Sequence, residues 1–249
     1  MQPMRRGRYL ARLAGGGRDV ERAQMLRGHA FRGGAVGARD TDRFDNLCRH
    51  VLIEEAEGGA LVATFRLMPL GSGREIGQCY SAQVYDLSAL ERMDRPMLEL
   101  GRFCLAPGQR DPDILRLAWG AITAEVDAIS AGLLFGCSSF AGTDAAIYRD
   151  AFGWLATRHL APPDLRPARR APESVALAEG GAAEPDPGRA LRTLPPLLRA
   201  YVGMGGWVGD HAVIDRELGT MHVFTGLEVD RVPAARARSL RIVAGSGPA

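Results

Sequence analysis

The sequence contains no lysine, and its 31 basic side chains are all arginines. A lysine Schiff base and a lysine general base are therefore excluded from its chemistry. None of its cysteines, Cys48, Cys79, Cys104 and Cys137, forms a C-x-x-C pair or has a histidine partner at ligand spacing. The sequence therefore predicts reduced, partly buried thiols, and neither a zinc site nor another metal site is expected.

Long apolar runs are also missing. No run of about 18 apolar residues occurs, so no transmembrane helix is expected. The first residues, MQPMRRGRYLARLAGGG, contain arginines but not the apolar stretch of a secretory signal. A cytoplasmic protein is therefore the expectation.

The net charge is only +2, but the arginines are concentrated at the two ends of the sequence. Residues 1–32 contain eight arginines and two acids, and residues 231–249 contain four arginines and no acid. Such ends favour an acidic partner, such as an anionic membrane surface or an acidic protein, although solvated surface arginines explain them equally well. Neither end contains a recognised nucleic-acid-binding motif, so no nucleic-acid partner is expected.

Helix and strand patterns alternate along the chain. A length of 249 residues suits one large domain, or one domain with a small appendage. Helices are predicted over residues 19–33, 110–132 and 143–155, a hairpin over 50–70, and strands over 97–107, 133–140 and 221–232. Asp111 and Pro112 suit the start of the second helix. The predicted fold class is α+β, a mixed sandwich around a central sheet.

The composition changes after residue 160. Residues 1–160 are predicted to form the core, and residues 161–190 a proline- and charge-rich irregular excursion. Residues 191–235 are apolar again and are predicted to complete the core or to line a tunnel for an apolar chain. A poorly ordered tail is predicted over residues 236–249.

Charged residues occur at unexpected places in apolar segments. The strand MLELGRFCLAP contains Glu99 and Arg102, although ionised groups are rarely buried unless they are paired or used. Three further places carry the same signal: Arg27 with Phe31 on the first helix, Asp42 with Asp45, and Arg66 in the strand TFRLMP.

Two interpretations of these residues are open. They could form a structural ion network, in which the charges satisfy one another. They could instead bind a zwitterionic small molecule, because arginine binds a carboxylate with two parallel hydrogen bonds and an acidic group binds an amine. Burial raises the pKa of a carboxylate, which is how a general base for an amine is tuned.

The order of these residues resembles a known family. The series Arg27-x-x-x-Phe31, Asp42-x-x-Asp45, Arg66-Leu67 and Glu99-x-x-Arg102-Phe103 is similar to that of the N-acyl-homoserine lactone synthases, which are GNAT-like acyltransferases. Those synthases carry a tryptophan where this sequence has Gly37. The phrases YSAQVYDLS, MLELGRFCLAP, PPLLRAYVGMGGWVGD and DRELGT resemble the related L-ornithine N-alpha-acyltransferases of bacterial ornithine-lipid synthesis.

The resemblance implies a GNAT-like fold with a C-terminal extension. The strands 97–106 and 133–140 would splay apart and admit the thioester of an acyl donor. The implied activity is transfer of a 3-hydroxyacyl chain from acyl carrier protein to the alpha-amine of L-ornithine, giving lyso-ornithine lipid. No cofactor is implied, since the acyl chain arrives on the phosphopantetheine arm of the carrier. Peripheral contact with the inner membrane is a further expectation.

The resemblance also implies roles for the charged residues. Glu99 would orient the acceptor amine and take its proton, and Arg102 would pair with Glu99 or bind the substrate carboxylate. Asp42 and Asp45 would bind the cationic amines. The remaining implied substrate-binding residues are Arg27, Phe31 and Arg66.

Donor binding is implied for residues around the two splayed strands. Tyr148 would protonate the leaving thiolate, with packing as the alternative role. Cys104 need not be a nucleophile, and a small core residue is the simpler interpretation. The implied donor-binding residues are Phe103, Cys104, Leu105, Arg110, Asp113 and Ser138.

Three other functions compete with this one. A homoserine lactone synthase would need S-adenosylmethionine as acceptor. A coenzyme A-dependent GNAT enzyme usually carries a glycine-rich pyrophosphate loop, but PGQRDPDILRLAWG lacks the paired glycines. A non-catalytic module that binds acyl carrier protein or a membrane would not need the set of charged residues.

Overall fold

A computed structural model of the protein describes residues 1–33 and 37–245. These residues contain eleven strands: β1 (Met4–Arg6), β2 (Tyr9–Leu13), β3 (Arg49–Glu55), β4 (Leu61–Leu70), β5 (Tyr85–Asp86), β6 (Met97–Leu105), β7 (Leu133–Ala141), β8 (Ala168–Arg169), β9 (Ser174–Ala176), β10 (Trp207–Asp215) and β11 (Thr220–Glu228). They also contain seven α-helices: α1 (Gly17–Phe31), α2 (Pro112–Ala128), α3 (Arg149–Arg158), α4 (Leu177–Gly180), α5 (Pro187–Thr193), α6 (Pro196–Gly203) and α7 (Ala234–Ala244).

The chain divides into two compact units that interleave along the sequence. The first unit consists of Met1–Pro69, Leu98–Ala131 and Pro233–Ala249. The second consists of Leu70–Met97 and Gly132–Val232. The predicted boundary at residue 160 therefore falls inside the second unit.

The first unit is built on an antiparallel sheet with strand order β1-β2-β3-β4-β6. The predicted hairpin over residues 50–70 is present as β3 and β4. The amide of Ala106 donates to the carbonyl of Val62 at 2.8 Å, which places the end of β6 beside the start of β4. Five consecutive residues of β3 are buried, so both of its faces are covered.

Helix α2 follows its local sequence signals. Asp111 is the N-cap and accepts a hydrogen bond from the amide of Asp113 at 2.9 Å, and Pro112 occupies the first turn. Ile114, Leu117 and Ala121 recur at helical spacing and are fully buried. The helix that the sequence predicted over residues 110–132 is therefore confirmed, with shorter ends.

The poorly ordered tail predicted over residues 236–249 is wrong for residues 236–244, which belong to helix α7, and residues 246–249 of that prediction lie outside the described residues. Arg241 donates two hydrogen bonds of 2.9 Å to Asp127 on α2. Val243 lies directly against Gly120 of α2, where the missing side chain leaves room for it. The apolar contacts of α7 are thus with a helix more than a hundred residues earlier, and no local signal records them.

The second unit contains an antiparallel sheet with strand order β7-β11-β10-β9 and a two-stranded pair of β5 and β8. Strand β11 pairs with β7 over its full length. An apolar core packs against this sheet, and its fully buried members include Phe140, Phe152, Leu155, Leu198 and Val223.

The prediction of an irregular excursion over residues 161–190 is also wrong. This segment forms β8, β9, α4 and the start of α5. The prolines shorten the elements and begin some of them, since Pro187 and Pro196 stand at the first positions of α5 and α6. Strand β9 is held as an edge strand by its pairing with β10.

The apolar segment after residue 191 contributes to the core of the second unit. Leu198, Tyr201 and Val202 of α6 are buried. These side chains are therefore not available to rest on a membrane. Within the described ranges 1–33 and 37–245, none of the helices has both the length and the apolar character needed to cross a bilayer.

The contact between α2 and α7 leads to a test. We expect Gly120→Ala to destabilise the protein by about 1–3 kcal/mol, because the new Cβ would lie 2.7 Å from Cγ1 of Val243. In a Val243→Ala background the same change should cost less, because the 2.7 Å contact is gone and only contacts of 3.2 and 3.3 Å with residue 243 remain. Urea unfolding of the double-mutant cycle measures this, and equal effects in both backgrounds would contradict the packing.

Candidate active site

The segment before β3 is held tightly against α1. A Cβ at position 28 would overlap the carbonyl of Ala38, so Gly28 permits the close approach of the two backbones. The amide of Asp40 donates to the carbonyl of Gln24 at 3.1 Å. Asp40, which is 1% exposed, is thereby placed beside the guanidinium of Arg27.

Arg27 is a fully buried cation on α1. Its two terminal nitrogens donate to the two carboxylate oxygens of Asp45, each at 2.8 Å. Its Nε lies 3.0 Å from Oδ2 of Asp40. A buried guanidinium requires such carboxylates, because an unpaired charge in the interior is strongly destabilising.

Arg66 extends the network to strand β4. It binds Asp42 through two parallel hydrogen bonds of 2.6 and 2.7 Å. Its Nη1 also donates to Oδ1 of Asp45 at 2.8 Å. Gly101 of the neighbouring strand β6 lies beside the Arg66 side chain.

Arg102 enters the cluster through an unusual backbone conformation. Residues 99 and 102 are three apart, so regular alternation along β6 would place them on opposite faces. Arg102 has a φ of 53°, in the left-handed region, and this re-aims its side chain. The guanidinium donates to Asp40 at 2.9 Å and to Asp42 at 3.3 Å. These ion pairs offset the cost of the conformation, which is about 1–3 kcal/mol.

Glu99 lies on β6 and is 4% exposed. By strand alternation it shares a face with Gly101, against which Arg66 lies. The sequence prediction that β6 carries a buried carboxylate and a guanidinium into the core is therefore confirmed. The pairing of Arg102 with Glu99 or with a substrate carboxylate stays a prediction.

The charged groups in the cluster shift one another's pKa values. Burial raises the pKa of Asp42 and of Asp45, but the hydrogen bonds from Arg66 and Arg27, respectively, outweigh it, and both pKa values lie below their ordinary range. Burial lowers the pKa of His50, whose Nε2 lies 2.9 Å from the carbonyl of Asp45. At neutral pH both carboxylates are therefore ionised and His50 is neutral.

At Asp42 and Asp45 the arrangement corresponds to the ion-network interpretation. All four of their carboxylate oxygens accept hydrogen bonds from arginine. Their predicted role in binding substrate amines stays a prediction. The sequence analysis missed Asp40, although the spacing of DTDRFD places this third carboxylate two residues before Asp42. The described part of the chain contains no cluster of three His, Cys, Asp or Glu residues suited to a metal ion.

The predicted donor-binding residues of β6 belong to the sheet of the first unit. Phe103 stacks on Phe65 with ring centroids 5.6 Å apart. Burial raises the pKa of the Cys104 thiol to about 12, so this cysteine is protonated at neutral pH and behaves as a core residue. Leu105 and Phe31 are half-buried, at the ends of β6 and α1.

The N-terminus of α2 already carries carboxylates. Asp111 caps the helix, and Asp113 pairs with Arg6 and Arg116, each at 2.9 Å. Arg110 is exposed. Two carboxylates at this end would repel a phosphate, so a donor phosphate here would depend on the arginines, and this site stays a prediction.

The remaining predicted residues lie in the second unit. The hydroxyl of Ser138 accepts a hydrogen bond from Thr225 at 3.0 Å. The hydroxyl of Tyr148 donates to the carbonyl of Ala141 at 2.7 Å, and its ring contacts Phe140 and Phe152. These contacts favour the packing role for Tyr148.

The pairing of Asp45 with Arg27 predicts a pH dependence. We expect Asp45→Asn to lower the free energy of unfolding at pH 7 by about 3–5 kcal/mol, because Arg27 and Arg66 both lose the buried carboxylate that they share. The folded pKa of Asp45 is depressed, so the stabilisation is complete above the unfolded pKa of about 4 and is lost as the pH falls towards the folded value. The free energy of unfolding should therefore fall more steeply from about pH 5 to pH 2 in the wild type than in the variant.

Urea unfolding at a series of pH values measures both slopes. The control is Asp94→Asn, which removes an exposed carboxylate and should leave the wild-type slope unchanged. Parallel pH profiles for wild type and Asp45→Asn would show that Asp45 does not carry this dependence.

Comparison with known proteins adds to this geometry. A family model described as an acetyltransferase (GNAT) domain matches residues 26–120. The chain is 35% identical over 229 residues to the L-ornithine N(alpha)-acyltransferase of Rhodobacter capsulatus, covering 86% of this chain and 88% of that protein. It is 32% identical over 244 residues to the protein of the same name from Brucella abortus, covering 91% and 86%. Among solved structures, that of a CoA-dependent acyl-homoserine lactone synthase is 13% identical with a TM-score of 0.46, covering 93% of this chain and 90% of that one.

The charged cluster from Arg27 to Arg102 lies entirely within the residues that match the GNAT domain. Strands β3, β4 and β6 lie within the same match, and the predicted GNAT-like α+β fold is confirmed. The alignments to the two acyltransferases extend over most of each chain. The protein belongs to the L-ornithine N(alpha)-acyltransferase family.

Proposed function

We propose that the protein transfers a 3-hydroxyacyl chain from acyl carrier protein to the alpha-amine of L-ornithine and forms lyso-ornithine lipid. The observation that carries the acceptor part is the likeness to two proteins named L-ornithine N(alpha)-acyltransferase, which are 35% and 32% identical to this chain over most of its length. The charged cluster suits such an acceptor, because carboxylates bind ammonium groups and arginines bind a carboxylate. Its arginines and acidic residues balance in number: they are Arg27, Arg32, Arg66, Arg102, Asp40, Asp42, Asp45 and Glu99. Ornithine brings two ammonium groups and one carboxylate to this cluster.

The donor part rests on the arginine distribution and on the segment after β6. An acyl carrier protein is acidic, and the exposed arginines Arg5, Arg8 and Arg18 suit such a partner. The carrier presents one phosphodiester and no pyrophosphate, so the absence of paired glycines in PGQRDPDILRLAWG is compatible with it. The exposed Arg110 is then a contact for that phosphate.

The reaction needs a neutral amine and a polarised thioester. Glu99 takes a proton from the alpha-ammonium, directly or through a water molecule, and the amine nitrogen attacks the thioester carbon. A backbone amide stabilises the oxyanion. The C–N bond forms as the C–S bond breaks, and the thiolate of the carrier arm leaves and takes up a proton. No residue becomes acylated, in keeping with the protonated Cys104.

The product determines where the enzyme works. Lyso-ornithine lipid joins an apolar chain to a charged head group, so it partitions into a membrane. We therefore place the protein in the cytoplasm, with peripheral contact at the inner membrane. An arginine-rich surface suits the anionic face of that membrane.

A direct assay tests the donor and the acceptor together. Purified protein is incubated with 3-hydroxyacyl-acyl carrier protein and one acceptor at a time, either ornithine, lysine, glutamine or S-adenosylmethionine. Release of the carrier thiol with ornithine and an alkali-stable amide product are the expected results. Release with S-adenosylmethionine alone would indicate a homoserine lactone synthase, and turnover of acyl-coenzyme A in place of the acyl carrier protein would overturn the donor assignment.

The base assignment makes a separate prediction. Glu99→Gln should lower kcat by about 10²–10⁴-fold, because the amine loses its proton acceptor. Turnover is expressed per folded enzyme, because neutralising a buried carboxylate of the cluster also lowers the free energy of unfolding. Glu57→Gln is the matched control at an exposed position and should retain wild-type turnover. Wild-type rates in Glu99→Gln would exclude Glu99 as the base.

A further inference from the structure

We propose that Asp40 is the residue that binds the side-chain ammonium of the acceptor, through its carboxylate oxygen Oδ1. This inference rests on the proposed function and adds to it a residue for acceptor specificity. It also changes the assignment made from the sequence, in which Asp42 and Asp45 bind the amines.

The two oxygens of Asp40 differ in their surroundings. Oδ2 accepts a hydrogen bond from Nε of Arg102 at 2.9 Å and lies 3.0 Å from Nε of Arg27. Oδ1 is buried and accepts no hydrogen bond from the residues that the structure describes. A buried ionised oxygen without a hydrogen bond is disfavoured, so one further donor would stabilise this atom.

The neighbouring carboxylates, Asp42 and Asp45, have no oxygen without a hydrogen bond. Asp42 receives Arg66 on both oxygens, together with the amide of Phe44 on Oδ1 and Arg102 on Oδ2. Asp45 receives two arginines on Oδ1, and Arg27 and Gln24 on Oδ2. Within these three carboxylates the unfilled acceptor is therefore Oδ1 of Asp40.

The guanidinium of Arg32 lies near this oxygen. Nη2 of Arg32 lies 3.6 Å from Oδ1, which is beyond hydrogen-bond distance, and the Arg32 side chain is 38% exposed. An ammonium group is a compact charge with three donors that needs only one carboxylate oxygen, whereas a planar guanidinium pairs best with two. The position of Arg32 thus marks the solvent side from which a substrate cation would reach Asp40.

The backbone of Asp40 is fixed before any substrate binds. Its amide donates to Gln24, and its carbonyl accepts a hydrogen bond from Arg27. Gly28 allows this segment to lie against α1. A carboxylate held in this way loses little conformational freedom when it binds a cation, which favours affinity.

The contact would also select between the two amines of ornithine. An ammonium beside a carboxylate keeps its proton, because the charged form is stabilised. A protonated amine has no lone pair and cannot attack the thioester. Asp40 would therefore hold the side-chain amine unreactive, while Glu99 deprotonates the alpha-amine.

Norvaline provides the test, because it has the same carbon chain as ornithine and no side-chain amine. For each enzyme the ratio of kcat/KM with ornithine to kcat/KM with norvaline is measured by release of the carrier thiol. This ratio does not depend on the fraction of folded enzyme. We expect Asp40→Asn to lower it by about tenfold or more, mainly through a higher KM for ornithine.

The matched control is Asp19→Asn. Asp19 also pairs with arginine in the first unit, but its partners are Arg12 and Arg22. This control should keep the wild-type ratio. An equal loss with both acceptors in Asp40→Asn would show that Asp40 only supports the ion network, and would overturn the inference. If the wild type releases no thiol with ornithine, the proposed function itself fails, which is a different result from an unchanged ratio.

Discussion

The pairing of Arg27 with Asp45 is the interaction on which the rest of the site depends. It joins helix α1 to the segment that precedes β3. Arg66 of β4 donates to the same carboxylate and so connects it to the sheet. Removing either partner is strongly destabilising, because the remaining arginines and carboxylates of the cluster then no longer balance one another. The network therefore holds a helix, a loop and two strands in one arrangement, and the positions of Asp40 and Arg102 follow from it.

The same network separates structural from chemical roles. Asp42 and Asp45 have their oxygens filled by arginine, and their low pKa values keep them ionised as fixed counter-charges. Oδ1 of Asp40 accepts no hydrogen bond from the described residues, and Glu99 shares a face of β6 with Gly101, which lies beside Arg66. In the function that we propose, Asp40 binds the side-chain ammonium of the acceptor, and Glu99 on β6 takes the proton of the alpha-amine.

Local signals account for the elements that were predicted correctly. The cap at Asp111, the proline after it and the apolar periodicity of α2 all lie within one stretch of sequence, as do the turn and strands of the hairpin. Helix α7 was missed because its apolar side chains are few and its stability comes from Gly120 and Asp127 on α2. The elements between residues 161 and 190 were missed because each is short, and β9 exists only through its pairing with β10.

The sequence by itself determined helices α1 and α2, the hairpin of β3 and β4, strand β6, the GNAT-like fold and the presence of ionised side chains in apolar strands. The tertiary structure decided which carboxylate meets which arginine, because these partners lie between 13 and 62 residues apart and no spacing rule joins them. It also decided that Arg102 turns into the cluster, since strand alternation predicts the opposite face and only the left-handed backbone at that residue reverses it. The unfilled oxygen of Asp40 became visible for the same reason: a missing partner is recognised only when all the other partners have been placed.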